Sequence, residues 1–325
     1  MKTKALWVTA PERIEVREAE LPAPKYDELQ VHTRAVGICA WDSYLYRGMS
    51  APGPIPYRLG HEGVGIVTAM GEGVKGFKVG DGIFVGTGGD EMMAEDFNVR
   101  YDCAAKIPEG ETDYRKWVGE PAVCVVNLLQ KADIQPGDSI ALIGAGYMGL
   151  LTLQGLRGTP YGELTVFDIN EDNLKVAREY FPEGCYNTGT PEGQAKIDEI
   201  KARGGVNVVI EFAAAEATFK LANELTAGVG GKLVFGAWHR GERAIDGNRW
   251  HTTGLTVLNV APKTNPRFKD LTAPTGALIA RGLYDTRRLV THTARFGHMD
   301  EMNGIFIKSI SKTDGYLKGV ITFDD

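Results

Sequence analysis

Cysteine is scarce in this chain: four residues, Cys39, Cys103, Cys124 and Cys185, in 325. They are widely scattered and form no C-x-x-C pair. That argues against a disulfide framework and excludes a zinc ribbon or a four-cysteine structural metal site. Long apolar runs are missing too, none reaching the roughly 18 residues that a membrane span needs. Lys and Arg form no run, and the formal net charge is −6. Phosphate backbones are bound by concentrated basic faces, so nucleic acid is not expected as the main partner. The opening stretch, MKTKALWVTAPERIEV, turns charged within a dozen residues and lacks a signal-peptide core. The expectation is a cytoplasmic protein with no membrane partner.

What the chain does have is glycine, 41 residues, against a usual share of about 7%. The glycines punctuate apolar runs, as in a fold with many tight turns. The length suffices for two domains. Up to Glu120 the pattern is β-rich: ELQVHTRAVGIC alternates, HEGVGIVTAMG is a glycine-punctuated strand, and KVGDGIFV joins a turn to another. From Pro121 strands alternate with helices: SIALIG, ELTVFDIN, GVNVVIEFAA and GGKLVFGAW are separated by helical stretches. This is the signature of a doubly wound parallel sheet. The expected division is a β-barrel-like domain at 1–120 completed by 263–325, and an α/β domain at 121–262. The overall class is α/β.

ALIGAGYMG carries G-x-G-x-x-G at Gly144, Gly146 and Gly149. The motif alone is weak, but here it follows an apolar strand and opens a helix. Asp168 ends the next strand nineteen residues after Gly149, near the expected separation of about 20. Gly144 permits the turn, Gly146 lets a pyrophosphate approach the backbone, and Gly149 allows close helix–strand packing. Free N–H groups of Ala145, Tyr147 and Met148 would face the phosphates. Asp168, with Ile169 and Asn170 beside it, would accept from ribose hydroxyls and repel a 2′-phosphate, which favours NAD. The plain alternative is a glycine turn that only packs a βα unit.

Two residues have the chemistry of zinc ligands: Cys39 in GICAWDSYLYRG and His61 in LGHEGVG. They lie 22 residues apart on neighbouring β-rich segments. Asp42 is placed to accept the second ring proton of His61, and Glu62 and Glu120 are further carboxylates. Each has a duller reading as a core cysteine, a structural histidine or a helix start before Pro121.

Taken together, VGICAWD, LGHEGVGIV, VGDGIFV, EPAVCVVNLL, PGDSIALIGAGYMGLL, VFDIN and GGKLVFG resemble the zinc-dependent medium-chain alcohol and polyol dehydrogenases. The subgroup is similar to the sorbitol, threonine and glucose dehydrogenases. The resemblance implies a GroES-like β-barrel followed by a Rossmann domain, and an oxidoreductase moving a hydride between a secondary alcohol and NAD. It makes Cys39 and His61 catalytic zinc ligands, with Glu62 or Glu120 alternating with water around the metal, and Asp42 behind His61. It places Phe212, Ala213, Gly236 and Ala237 at the nicotinamide. It implies a small-molecule partner and a homodimer or homotetramer.

The chain departs from that family in three places. The stretch GTGGDEMMAEDFNVRYDC holds one cysteine where many members have four, so one catalytic zinc and no structural zinc is expected. Trp41 stands where a Ser or Thr hydroxyl begins the proton relay, and indole N–H cannot relay a proton. Tyr44 stands at a relay histidine, making Tyr44, with Ser43 or a water, the substitute; a carboxylate route through Glu62 or Glu120 is equally open. Trp41, Tyr44, Tyr46, Tyr57, Trp238 and His239 are candidate pocket residues, and their aromatic faces favour a polyol, sugar or cyclitol. Arg240, Arg243 and Arg249 form either an anion-attracting or a solvated loop face. Two other readings compete: a zinc-free NAD(P)H quinone or enone reductase on the same fold, and a non-catalytic NAD-binding protein.

Overall fold

A computed structural model describes residues 1–49 and 53–323. In chain order the elements are β1 (Lys2–Ala10), β2 (Arg13–Glu20), β3 (Glu28–Ile38), α1 (Ala40–Tyr46), β4 (Tyr57–Arg58), β5 (Glu62–Met70), β6 (Gly82–Val85), β7 (Asp96–Arg100) and β8 (Ala104–Lys106). Next come α2 (Glu120–Ala132), β9 (Ser139–Ile143), α3 (Tyr147–Leu156), β10 (Glu163–Asp168), α4 (Glu171–Tyr180), β11 (Cys185–Asn187), α5 (Pro191–Ala202), β12 (Val208–Glu211), α6 (Glu216–Leu225), β13 (Lys232–Phe235), α7 (Gly247–Thr253) and β14 (Thr256–Asn259). The tail adds α8 (Thr272–Ala280), β15 (Val290–Arg295), α9 (Met299–Ser311) and β16 (Lys318–Thr322). The chain divides into two compact units, Met1–Val123 with Arg267–Asp325, and Cys124–Pro266.

The first unit is built on antiparallel strands. Its larger sheet runs β15-β16-β3-β5-β6-β8, with β7 also on β3, and a smaller sheet runs β2-β1-β4. β3 is the hub: its eleven residues pair with β5, β7 and β16. A strand paired on both edges has its backbone polar groups satisfied within the sheet, and most of β3 is buried. The tail strand β16 pairs with β3 from Gly319 opposite Ile38 to Thr322 opposite Ala35, so residues nearly 300 positions apart share one ladder. Leu6, Leu29, Val31, Ile83, Met92, Met93 and Phe306 form its core.

The second unit is a six-stranded sheet in the order β11-β10-β9-β12-β13-β14, parallel throughout. The order reverses between β9 and β12, and the crevice at such a switch point is where open parallel sheets bind ligands. Val208, Val209 and Ile210 on β12 are fully buried, as expected for a strand covered on both faces. No described helix is long and apolar enough to cross a membrane.

Candidate active site

In the first unit, β3 stops at Ile38 and α1 starts at Ala40, which leaves Cys39 as the N-cap residue between them. β5 opens at Glu62, directly after His61. The β3–β5 pairing sets Gly37 opposite Glu62, so the end of one strand meets the start of the other. Cys39 Sγ, a His61 ring nitrogen and a Glu62 carboxylate oxygen lie within 4.8 Å of one another. Gly37 makes room for this: a Cβ there would sit 1.9 Å from Glu62 Oε2. Thiolate, imidazole and carboxylate are the donors zinc takes, so the residues present fit the metal that the motifs imply. Among the described residues this is the one such three-donor group.

Asp42 organises the backbone around these donors. Its Oδ2 accepts from Cys39 N at 2.9 Å and its Oδ1 from Gly60 N at 3.1 Å. Oδ1 also lies 3.7 Å from His61 Nδ1, an ion-pair separation rather than a hydrogen bond. Burial alone would lower the His61 pKa, but the negative charges of Asp42 and Cys39 beside it outweigh burial and hold it well above the usual value.

The residue that sequence reasoning missed is Lys318. It starts β16, and its ammonium donates to Glu62 Oε1 at 2.7 Å and to the Ile38 carbonyl at 3.0 Å. Glu62 Oε2 lies 2.5 Å away. Burial works against the charge of Lys318, yet Glu62 and Cys39 more than offset it, and its pKa is raised. The signal was present: LKGVITF sets a lysine in a buried strand run, and a lysine there requires a partner. Glu120 begins α2 and stands outside the three-donor group. Its charge acts on Lys318.

The aromatic expectations divide. Tyr57 is buried in the core and its hydroxyl donates to the Leu45 carbonyl at 2.5 Å. The phenol is a core hydroxyl with a backbone acceptor. Tyr46 is likewise core, stacked on Phe306 at 4.9 Å. Trp41 is half-buried against the same core, and Tyr44 is half-buried on α1. Ser43 is buried with its hydroxyl 2.6 Å from that of Ser309. In the shortened stretch, Met92 and Met93 are fully buried, and their N–H groups pair with the Gly60 and Leu59 carbonyls.

In the second unit the glycine loop joins β9 to α3. Gly144 has φ of 100°, a conformation suited to glycine. A Cβ on Gly149 would lie 1.9 Å from the Gly144 carbonyl oxygen, whereas one on Gly146, the N-cap of α3, would meet nothing within 4 Å. So Gly149 is needed for packing, and Gly146 leaves space at a helix N-terminus, the geometry that accepts a phosphate. Tyr147 and Met148 form the first turn of α3. The Asp168 carboxylate accepts from Ala145 N at 2.6 Å, Asn170 N at 2.8 Å and Asn173 Nδ2 at 3.2 Å. Ile169 is exposed, and Asn170 caps α4 by accepting from Asp172 N.

Phe212 and Ala213 follow β12, and Gly236 and Ala237 follow β13, at the same carboxyl edge. His239 is 2.6 Å from the buried carboxylate of Glu211 and packs against Phe219 and Phe235. Its Nε2 is thus engaged within the unit, while its Nδ1 has no hydrogen-bond partner. Trp238 is exposed, with Arg240 over its ring at 4.5 Å. Arg243 lies 3.3 Å from Glu216 and Arg249 donates to the Thr226 carbonyl.

The alcohol dehydrogenase GroES-like domain family matches residues 25–138. An uncharacterized zinc-type alcohol dehydrogenase-like protein of Escherichia coli K12 is 27% identical, covering all of both chains. The D-xylulose reductase of Morganella morganii is 26% identical over 83% of this chain and 87% of its own. Among solved structures, a candidate zinc-binding dehydrogenase of Sinorhizobium meliloti 1021 bound to NADP superposes with a TM-score of 0.83 at 24% identity, covering 99% of each chain.

Proposed function

Because the chain belongs to the zinc-dependent medium-chain dehydrogenase/reductase superfamily, we propose that this alcohol-dehydrogenase-like oxidoreductase moves a hydride between the secondary alcohol of a polyol, sugar or cyclitol and NAD. The observation that carries the reading is the meeting of Cys39, His61 and Glu62 donor atoms within 4.8 Å. These three residues would hold one zinc, with Glu120 as the nearby alternative carboxylate. Bound there, zinc supplies Lewis acidity toward a substrate oxygen. A nicotinamide supplies the hydride acceptor.

The protein's own part is positioning and charge. Asp42 fixes the Cys39 and Gly60 backbones and keeps negative charge behind His61. Lys318 offsets the charge of Glu62. Trp41 shapes the site without a proton route. With Ser43 bound to Ser309, the Tyr44 phenol oxygen is the proposed relay atom. The Asp168 carboxylate, which already accepts from the glycine loop, would take ribose hydroxyls and disfavour a 2′-phosphate. D-xylulose reductase among the relatives supports a polyol or sugar substrate.

The test combines metal analysis with a screen of polyols, sugars, cyclitols and hydroxy acids by NADH absorbance, run with NAD and NADP and with Cys39→Ala. The expected result is one zinc per chain, turnover with NAD, and loss of both metal and turnover in Cys39→Ala. Turnover that survives in Cys39→Ala refutes the zinc mechanism. Enone or quinone reduction by NADPH without stoichiometric zinc supports the reductase reading instead, and cofactor binding without any turnover supports a non-catalytic one.

A further inference from the structure

The second unit contains a buried acidic group that the proposed chemistry does not use. Glu211 is the last residue of β12 and is 0% exposed. Its Oε1 accepts from Ala213 N and Ala214 N, each at 2.8 Å, and lies 2.8 Å from the Thr218 hydroxyl. Its Oε2 is 2.6 Å from His239 Nε2. Where the carboxylate accepts this contact, His239 donates through Nε2–H. The backbone carbonyl of Glu211 also accepts from Gly236 N and Ala237 N. One residue thus ties three pieces together: the turn after β12, the first turn of α6 and the segment after β13.

The turn is one that needs holding. Ala214 has φ of 57°, a left-handed conformation that is unfavourable for a residue with a Cβ. Phe212 fills the space beside it. A Cβ on Gly236 would lie 2.3 Å from the Phe212 ring, and one on Gly144 would lie 3.3 Å from Phe212 Cβ. The glycine loop, the β12 turn and the β13 segment therefore nest on one another, with Glu211 and His239 beneath. Their place in the sheet gives this meaning. β10, ending in Asp168, is on one side of the switch point, and β12 and β13 are on the other. In such sheets the two halves of a dinucleotide divide across that point.

We propose that the Glu211–His239 pair is a positioning device for the nicotinamide-ribose half of the dinucleotide. His239 holds the carboxylate, and the carboxylate holds the strained 212–215 turn and the 236–239 segment in the shape that receives that half. Neither residue touches the adenosine half, which the glycine loop and Asp168 take. This rests on the dinucleotide reading above.

The test compares NADH with ADP-ribose, which lacks the nicotinamide, on the whole chain by calorimetry or fluorescence. Wild type is expected to bind both. His239→Phe keeps an aromatic ring against Phe219 and Phe235 and removes the donor. It is expected to weaken NADH by about tenfold while changing ADP-ribose by less than about twofold. His239→Gln, which restores an N–H near the Nε2 position, is expected to recover most of the NADH affinity. If His239→Phe does not fold, Thr218→Val serves: it removes one donor from Oε1 and is expected to produce a smaller loss confined to NADH. Equal losses for both ligands, or none for either, overturn the positioning role. Wild type that binds neither ligand overturns the dinucleotide reading itself.

Discussion

Glu62 and Glu211 are both buried carboxylates, 1% and 0% exposed, and both stand at strand ends beside candidate ligand sites. They are kept charged in different ways. Glu62 faces a full positive charge, the Lys318 ammonium, at 2.5 and 2.7 Å. Glu211 is held by several donors, none of them a lysine or arginine: two backbone N–H groups, a hydroxyl and the His239 ring. An ion pair concentrates its stability in one contact, and losing one partner strands a charge in a medium of low dielectric. A ring of dipoles spreads the same task over several bonds, so the loss of one is tolerated. The difference suits the two sites. A carboxylate balanced by a cation can turn to another cation in the same donor group, whereas one locked by dipoles can only hold a shape.

Removing Lys318 should have the largest effect. Lys318→Met removes the ammonium paired with Glu62 and is expected to cost about 3–5 kcal/mol in metal-free protein. Denaturant midpoints with unchanged slopes would measure it. Adding zinc should shrink that penalty, because the metal supplies the missing charge; a penalty below about 1 kcal/mol without metal would contradict a structural ion pair. The pH dependence follows from the raised Lys318 pKa. Stability from a raised lysine is fully present below the unfolded value of about 10.5 and is lost as pH rises through the folded one. The difference between wild type and Lys318→Met should therefore stay level between about pH 7 and pH 9.

Glu211→Gln is the matched experiment on the other carboxylate, and its effect should be smaller. The amide oxygen can still accept from Ala213 and Ala214, and its N–H group can donate to His239 in the other tautomer. The expected cost is about 1 kcal/mol. A cost equal to that of Lys318→Met would erase the distinction between charge balance and dipole balance.

This contrast explains what the sequence made legible. The glycine loop and Asp168 could be read because their spacing follows from one local βαβ unit. Cys39 and His61 could be paired because β3 and β5 are neighbours in both sequence and space. Lys318 lies 256 residues from Glu62, and a lysine near a chain end resembles a surface residue until β16 is seen to pair with β3. His239 and Glu211 are 28 residues apart on successive strands, and only the parallel register of β12 and β13 brings them together. Helix α1 has seven residues, too few for apolar periodicity to reveal it. An aromatic beside polar turns, such as Tyr57, looks the same in sequence whether its hydroxyl faces a ligand or a buried carbonyl.

The smallest stability change belongs to a single glycine, Gly146, and the glycine loop sharpens the comparison further because the dinucleotide end depends on absent side chains as well as on dipoles. Gly149→Ala drives a Cβ to 1.9 Å from the Gly144 oxygen, so backbone must move, at a cost of about 1–3 kcal/mol. Gly146 has φ of −70° and open space around its Cβ position. Gly146→Ala should leave stability within about 0.5 kcal/mol of wild type, since alanine adopts that backbone freely and orders the unfolded chain slightly. The same methyl would occupy the surface offered to the pyrophosphate, so NADH and ADP-ribose should both weaken by at least about tenfold. Thermal midpoints and titrations of the two variants separate the roles: Gly149→Ala should lose stability first, and Gly146→Ala should lose ligand alone. Unchanged affinity in Gly146→Ala would mean that the phosphates do not lie over this turn, and that the space above α3 is an ordinary gap in the surface.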